Sequence, residues 1–163
     1  VEFPGVLFRG AAEAKIRQYL VENNYVDAVI QLPPDLFFGT TIGTCVIVLK
    51  KSKQDNNVLF VDASKQFVRE GNKNKLSAEN QEMILETLSK RADVDHVAAL
   101  VGADTIRENG FNLSVSSYVE AEDTREEVDI VELNARIKEI VERQAVLRAS
   151  IDEIVADFEG GAR

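Results

Sequence analysis

Apolar positions along this chain change period several times, and each change marks an element. Between residues 11 and 23, Ala12, Ile16, Tyr19 and Leu20 recur at spacings of three and four among charged residues. That is the period of an amphipathic helix, which Asn23-Asn24 ends. Residues 26–32, 45–49 and 58–63 are nearly continuous apolar runs and predict three strands. The polar connection at 50–57 is short, which predicts that the second and third strands are antiparallel neighbours. Residues 1–8 read as a further strand-like piece, and residues 65–76 as a mobile connection. Ser77, with Glu79 and Glu82 behind it, predicts the N-cap of a helix running to about Ala92, with Ile84, Leu85 and Leu88 facing the sheet. A short apolar segment follows at 95–101, then a helical turn at 104–109 closed by Gly110, then a segment at 111–119 that alternates as an edge strand would.

The period then becomes seven. Ile130, Ile137, Ile151 and Phe158 fall on one heptad position with Gln144 completing the series, while Leu133, Ile140, Leu147 and Ile154 fill the other. Four heptads of apolar seam predict one long helix from about residue 126 to 158, ended by Gly160-Gly161. Such a seam must be buried, either on its own domain or on a partner helix, and Gln144 could fix the register with that partner.

Residues 31–50 form a strand, a shaped loop and a strand. Pro33 and Pro34 stiffen the exit from the first strand, and Gly39, Thr40 and Thr41 follow Phe37-Phe38. Two rings held on a scaffolded loop depart from the usual polar connection and suit the grip of a flat ligand such as a base.

Composition narrows the classes. With 163 residues, 45% apolar and 29% charged, the chain can bury one core and carry an appendage. It has no apolar run long enough to span a membrane and no basic-then-apolar leader, which predicts a cytoplasmic protein. One cysteine, Cys45, inside an apolar run, excludes an intrachain disulfide and predicts a small buried hydrophobe. One histidine, His96, excludes a zinc cluster and reads as structural. The net charge of −9 is concentrated: residues 120–159 hold 13 acids and 5 bases, a balance of −8. Residues 50–75 hold 7 bases and 3 acids, a local +4. Lys50, Lys51, Lys53, Lys73 and Lys75 are thus candidates for DNA phosphates, the alternative being a solvated loop.

Catalytic patterns are missing. There is no Walker-type loop, no glycine-rich turn for a dinucleotide or S-adenosylmethionine, and no Ser-His-Asp set. Leu32-Pro33-Pro34-Asp35 looks superficially like the Asn-Pro-Pro-aromatic signature of amino-methyltransferases, but a leucine cannot accept a hydrogen bond from a target amino group. No catalytic residue and no metal ligand is assigned to this chain.

Five blocks resemble a known family in order and spacing: residues 5–13 (GVLFRGAAE), 32–40 (LPPDLFFGT), 44–50 (TCVIVLK), 60–64 (FVDAS) and 112–119 (NLSVSSYV). They are similar to the second half of the modification (M) subunit of type I restriction-modification systems. The resemblance departs at Gly43, where family members often carry proline, and at Ala11, where they often carry glycine. It implies an α/β fold, the incomplete C-terminal part of a Rossmann-like S-adenosylmethionine-dependent methyltransferase sheet, with a long C-terminal helix. The division it implies is catalytic-domain remainder at 1–64, extension at 65–120 and heptad helix at 121–163. It implies an adenine-specific DNA methyltransferase whose cofactor loop and Asn-Pro-Pro-Phe motif precede Val1, so that the chain is a C-terminal fragment, inactive alone. By position Phe38 resembles the ring that stacks on the flipped-out adenine, with Phe37 beside it. Partners implied are a specificity subunit, a second M subunit, a restriction subunit and, through the assembly, DNA. Ile130, Leu133, Ile137, Ile140, Leu147, Ile151 and Ile154 would be the docking anchors, or a surface for self-association of the fragment. The competing reading is a non-enzymatic module that recruits a helical partner.

Overall fold

A computed structural model describes residues 2–122 and 130–160. The chain divides into two compact units, Val1–Glu122 and Asp123–Arg163. The first unit runs through a 3₁₀ turn at Pro4–Leu7, helix α1 (Ala12–Glu22), and strands β1 (Val26–Gln31), β2 (Cys45–Leu49) and β3 (Asn57–Asp62). It continues with a small hairpin, β4 (Val68–Glu70) and β5 (Lys73–Lys75), then helix α2 (Ala78–Lys90), strand β6 (Ala98–Gly102), helix α3 (Ala103–Glu108) and a 3₁₀ turn at Val115–Ser117. The second unit contributes helix α4 (Ile130–Gly160).

The main sheet has the order β2-β1-β3-β6 among the described residues. β1 is central, and its side chains are apolar on both faces because both are covered. Val29 joins Val58 and Phe60 in a core with Val21 of α1 and Ile106 of α3. Ala28 and Ile30 join Leu59, Val61 and Ile84 of α2 in a second core on the other face.

The predicted pairing of the second and third strands is corrected. β1 lies between them, antiparallel to β2 and parallel to β3. A doubly covered strand needs a partner on each edge, and stepping across one strand spans about 10 Å, within reach of a connection of this length. Lys53 stitches that crossing, its ammonium donating to the Val26 and Asn57 carbonyls at 2.7 Å each.

Four other expectations change. The initial segment is a 3₁₀ turn, pairing with the sheet, among the described residues, only through Glu2 opposite Cys45, because Pro4 fixes φ and has no N–H to donate. Residues 65–76 hold the β4–β5 hairpin instead of a bare connection. Leu85 is 65% exposed; the buried positions of α2 are Ile84 and Thr87, one helical face, with Leu88 half-buried beside them. Residues 111–119 do not form an edge strand: Asn112 Oδ1 accepts the Ser114 N–H at 2.9 Å and turns the backbone, so that Tyr118 stacks on Phe60 with ring centroids 4.3 Å apart. The Ser77 cap forms as predicted, a reciprocal box with Asn80.

Candidate functional site

Because β1 and β3 are parallel, their carboxyl ends lie at the same end of the sheet, the position at which open α/β sheets bind ligands. The loop at 32–44 leaves β1 there, and the segment at 63–76 leaves β3. The loop's base is closed by backbone bonds, Leu32 N–H to the Thr44 carbonyl at 2.8 Å and Ala63 N–H to the Gln31 carbonyl at 2.9 Å. Pro33 is fully buried, which anchors the strand exit, while Pro34 stands at the surface.

Beyond the prolines the loop is steered by two left-handed residues, Asp35 at φ 55° and Gly39 at φ 80°. Thr40 Oγ1 accepts the Ile42 N–H at 3.1 Å and tightens the return, with Thr41 exposed next to it. Between these turns Phe38 stands wholly in solvent at 101% exposure, and Phe37 is 40% exposed. Phe3, Phe37, Phe38, Thr40 and Thr44 are among the residues lining a cleft of about 390 Å³. That size falls within the range of small-molecule sites, about 300–1,000 Å³. Thr44 Oγ1 is a buried oxygen without a hydrogen-bond partner among the described residues.

The hairpin that follows β3 supports this loop, a role for which the sequence carried no apolar signal. Asn74, 5% exposed, donates from Nδ2 to the Pro34 carbonyl at 2.8 Å and from its backbone N–H to the Asp35 carbonyl at 3.1 Å. Its Oδ1 accepts from Arg69 at 3.0 Å, and Arg69 lies 3.5 Å from the Asp35 carboxylate. Lys73 Nζ donates to the carbonyls of Phe37 at 3.3 Å and Thr40 at 3.4 Å.

The basic residues grouped by sequence separate in space. Lys50, Lys51 and Lys53 follow β2, which runs away from the loop, so five residues of strand, about 16 Å, separate them from it. Lys50 and Lys51 are exposed. Lys53 is held by its two carbonyls, and burial, opposed by Asp55, draws its pKa below the usual lysine value. Lys73 belongs to the loop support, and Lys75 pairs with Glu70 at 3.0 Å. Cys45 is buried, and burial raises its thiol pKa, which keeps it protonated and unreactive.

In the second unit, α4 presents Leu133, Ile137, Ile140, Leu147, Ile151 and Ile154 with exposures of 46 to 64%. The Ile130 and Phe158 side chains lie outside the described residues. No described helix is long and apolar enough to cross a membrane, and no described group of residues could hold a metal ion.

Comparison with known proteins places this geometry. Residues 1–127 match the N-6 DNA Methylase family. The type I restriction enzyme MpnII methylase subunit of Mycoplasma pneumoniae is 44% identical over 157 residues, 96% of this chain and 29% of that protein. The MjaVIII methylase subunit of Methanocaldococcus jannaschii is 34% identical over 160 residues, 92% of this chain and 28% of that protein. The chain thus spans less than a third of the length of these curated relatives. The crystal structure of a type I restriction-modification methyltransferase subunit from Streptococcus thermophilus superposes with a TM-score of 0.71 and 43% identity, over 72% of this chain and 25% of that one. The type I restriction enzyme EcoKI M protein shares the fold at a TM-score of 0.56 and 15% identity, over 91% of this chain and 39% of that one. The sheet is therefore part of a Rossmann-like methyltransferase sheet, followed by a long helix. The chain belongs to the N-6 DNA methylase family of type I restriction-modification methylase subunits.

Proposed function

We propose that this chain is the C-terminal part of a type I methylase subunit, which transfers a methyl group from S-adenosylmethionine to the amino group of adenine in DNA. Within it, the loop at 32–44 grips the flipped-out adenine and α4 docks on the specificity subunit, in an assembly with a second methylase subunit and a restriction subunit. The observation that carries the reading is Phe38, a wholly exposed ring on a loop fixed at both ends. An apolar side chain left in water forgoes about 1.5–3 kcal/mol of burial. A base withdrawn from the duplex regains about 1–3 kcal/mol by stacking on such a ring. The two needs are complementary, and the ring sits where a ligand of this fold is expected.

The residues of this chain do not fit S-adenosylmethionine by themselves. Of the two glycines before α1, Gly5 is faced by the Arg9 side chain, 2.8 Å from where a Cβ would stand, while Gly10 opens onto empty space with nothing within 4 Å. Their spacing is not that of a cofactor loop, and α1 starts at Ala12 without a side-chain cap. Other parts of the subunit would hold the methyl donor and supply the hydrogen-bond acceptor for the target amino group. The outer edge of β2, met only by Glu2 among the described residues, supports continuation of the sheet on that side. What this chain's residues do is hold and orient the base.

The test is Phe38→Ala in the intact methylase complex. Loss of one stacked ring is expected to lower kcat/KM for adenine methylation about 5- to 150-fold, the equivalent of 1–3 kcal/mol. Methylation at the wild-type rate would sink the assignment.

A further inference from the structure

We infer that the β4–β5 hairpin is the positioning device of the aromatic loop, with Asn74 and Lys73 setting where Phe38 stands; the inference rests on the stacking role just proposed. Four loop carbonyls point at hairpin donors: Pro34 and Asp35 at Asn74, Phe37 and Thr40 at Lys73. They bracket Phe38 on both sides. Asn74 is the sole buried side chain of the described hairpin strands, and a buried carboxamide costs free energy unless its bonds are made. All its polar atoms facing the loop and Arg69 are used, so its burial is explained by the loop it holds. Asp35 adds a second argument. Its left-handed backbone is unfavourable for a residue with a side chain, and it persists where surroundings over-determine it, here through Asn74 and Arg69. Lys73, half-buried with two carbonyl partners, is thereby a loop ligand in place of a phosphate ligand.

A ring that must meet a base at van der Waals distance tolerates little displacement, and an error of 1 Å in such positioning costs up to about a hundredfold in rate. The experiment uses the intact methylase complex with Lys73→Met, Asn74→Asp, Phe38→Ala and the double variants. Lys73→Met removes both carbonyl contacts of a surface-reaching side chain and keeps its volume; Asn74→Asp replaces the donor facing Pro34 with an acceptor. Each is expected to lower kcat/KM for adenine methylation about tenfold or more, with binding of S-adenosylmethionine within about twofold of wild type. Fluorescence of 2-aminopurine at the target position, quenched when a flipped base stacks, is expected to rise in both. In the Phe38→Ala background the further loss is expected to shrink below about twofold, since a misplaced ring and an absent ring are equivalent. The salt dependence of DNA binding is expected to be unchanged by Lys73→Met.

A salt slope reduced by about one would show a phosphate ligand and overturn the assignment of Lys73. Undiminished losses in the Phe38→Ala background would overturn the hairpin's role as well, as would wild-type rates for Lys73→Met and Asn74→Asp beside a slow Phe38→Ala. Wild-type methylation by Phe38→Ala alone would instead remove the stacking reading, and this inference with it.

Discussion

Ala11 occupies a backbone conformation of φ 59° and ψ −124°, a region populated almost wholly by glycine. Its side chain is exposed, so no packing repays the strain, and α1 gains no side-chain cap from it. Asp35 also has a positive φ, 55°, but an aspartate tolerates the left-handed region better than an alanine does, and its carbonyl and carboxylate are tied down by Asn74 and Arg69. Ala11→Gly is therefore expected to stabilise the chain by about 1 kcal/mol, read as a higher urea midpoint at constant slope. A lower midpoint would show that the loss of a side chain in the unfolded state outweighs the relieved strain. Residue identity made some roles legible and hid others. Cys45 in an apolar run reads as buried and is buried. Lys53 reads as a candidate phosphate ligand or else a solvated cation, yet the crossing from β2 to β3 leaves two carbonyls at strand starts that its long side chain reaches.

Elements with a strong hydrophobic period were legible: α1, the three apolar strands, α2 and the heptad helix all form where their patterns lie. The cap at Ser77 also follows from local chemistry, its hydroxyl accepting the Asn80 N–H while the Asn80 side chain returns to the Ser77 N–H. Ser77→Ala is expected to cost about 1 kcal/mol by denaturant unfolding, and Ser77→Asp to cost much less because a carboxylate accepts the same bond. Equal losses for both would mean that the serine hydroxyl serves something other than the cap. The elements that were not legible lack a period altogether. In β4 every residue is exposed and in β5 the buried one is an asparagine, so the hairpin that supports the candidate site carries no apolar alternation to read. Strand order was hidden for another reason: a short connection suggests adjacency, but the doubly covered β1 claims both neighbours. At residues 111–119 the alternation is real, with Leu113, Val115 and Val119 buried, but Asn112 spends its side chain on a turn and the segment caps a core instead of joining the sheet.

At the scale of the whole molecule, the two units carry different chemistry. Residues 120–159 hold nearly the entire net charge, so the region containing α4 repels a phosphate backbone instead of attracting it. A helix of 31 residues is about 46 Å long, and its stability in water depends on tertiary partners for its apolar face. Its seam residues are exposed in the chain, so charge and hydrophobicity together favour a protein surface over DNA as what covers them. Under the proposed assembly that surface belongs to the specificity subunit, and Ile137, Ile140, Leu147 and Ile151 are its central anchors. Ending the intact subunit after Asp123 is expected to abolish co-purification with the specificity subunit while S-adenosylmethionine binding stays at wild-type affinity. Ile140→Glu is expected to act in the same direction, by placing a charge in the seam. If the free chain self-associates through the same seam, sedimentation of Ile140→Glu should return it to the monomer as well. Normal assembly of the truncated subunit would remove the helix from the interface and leave its apolar seam to pair with a second copy of itself.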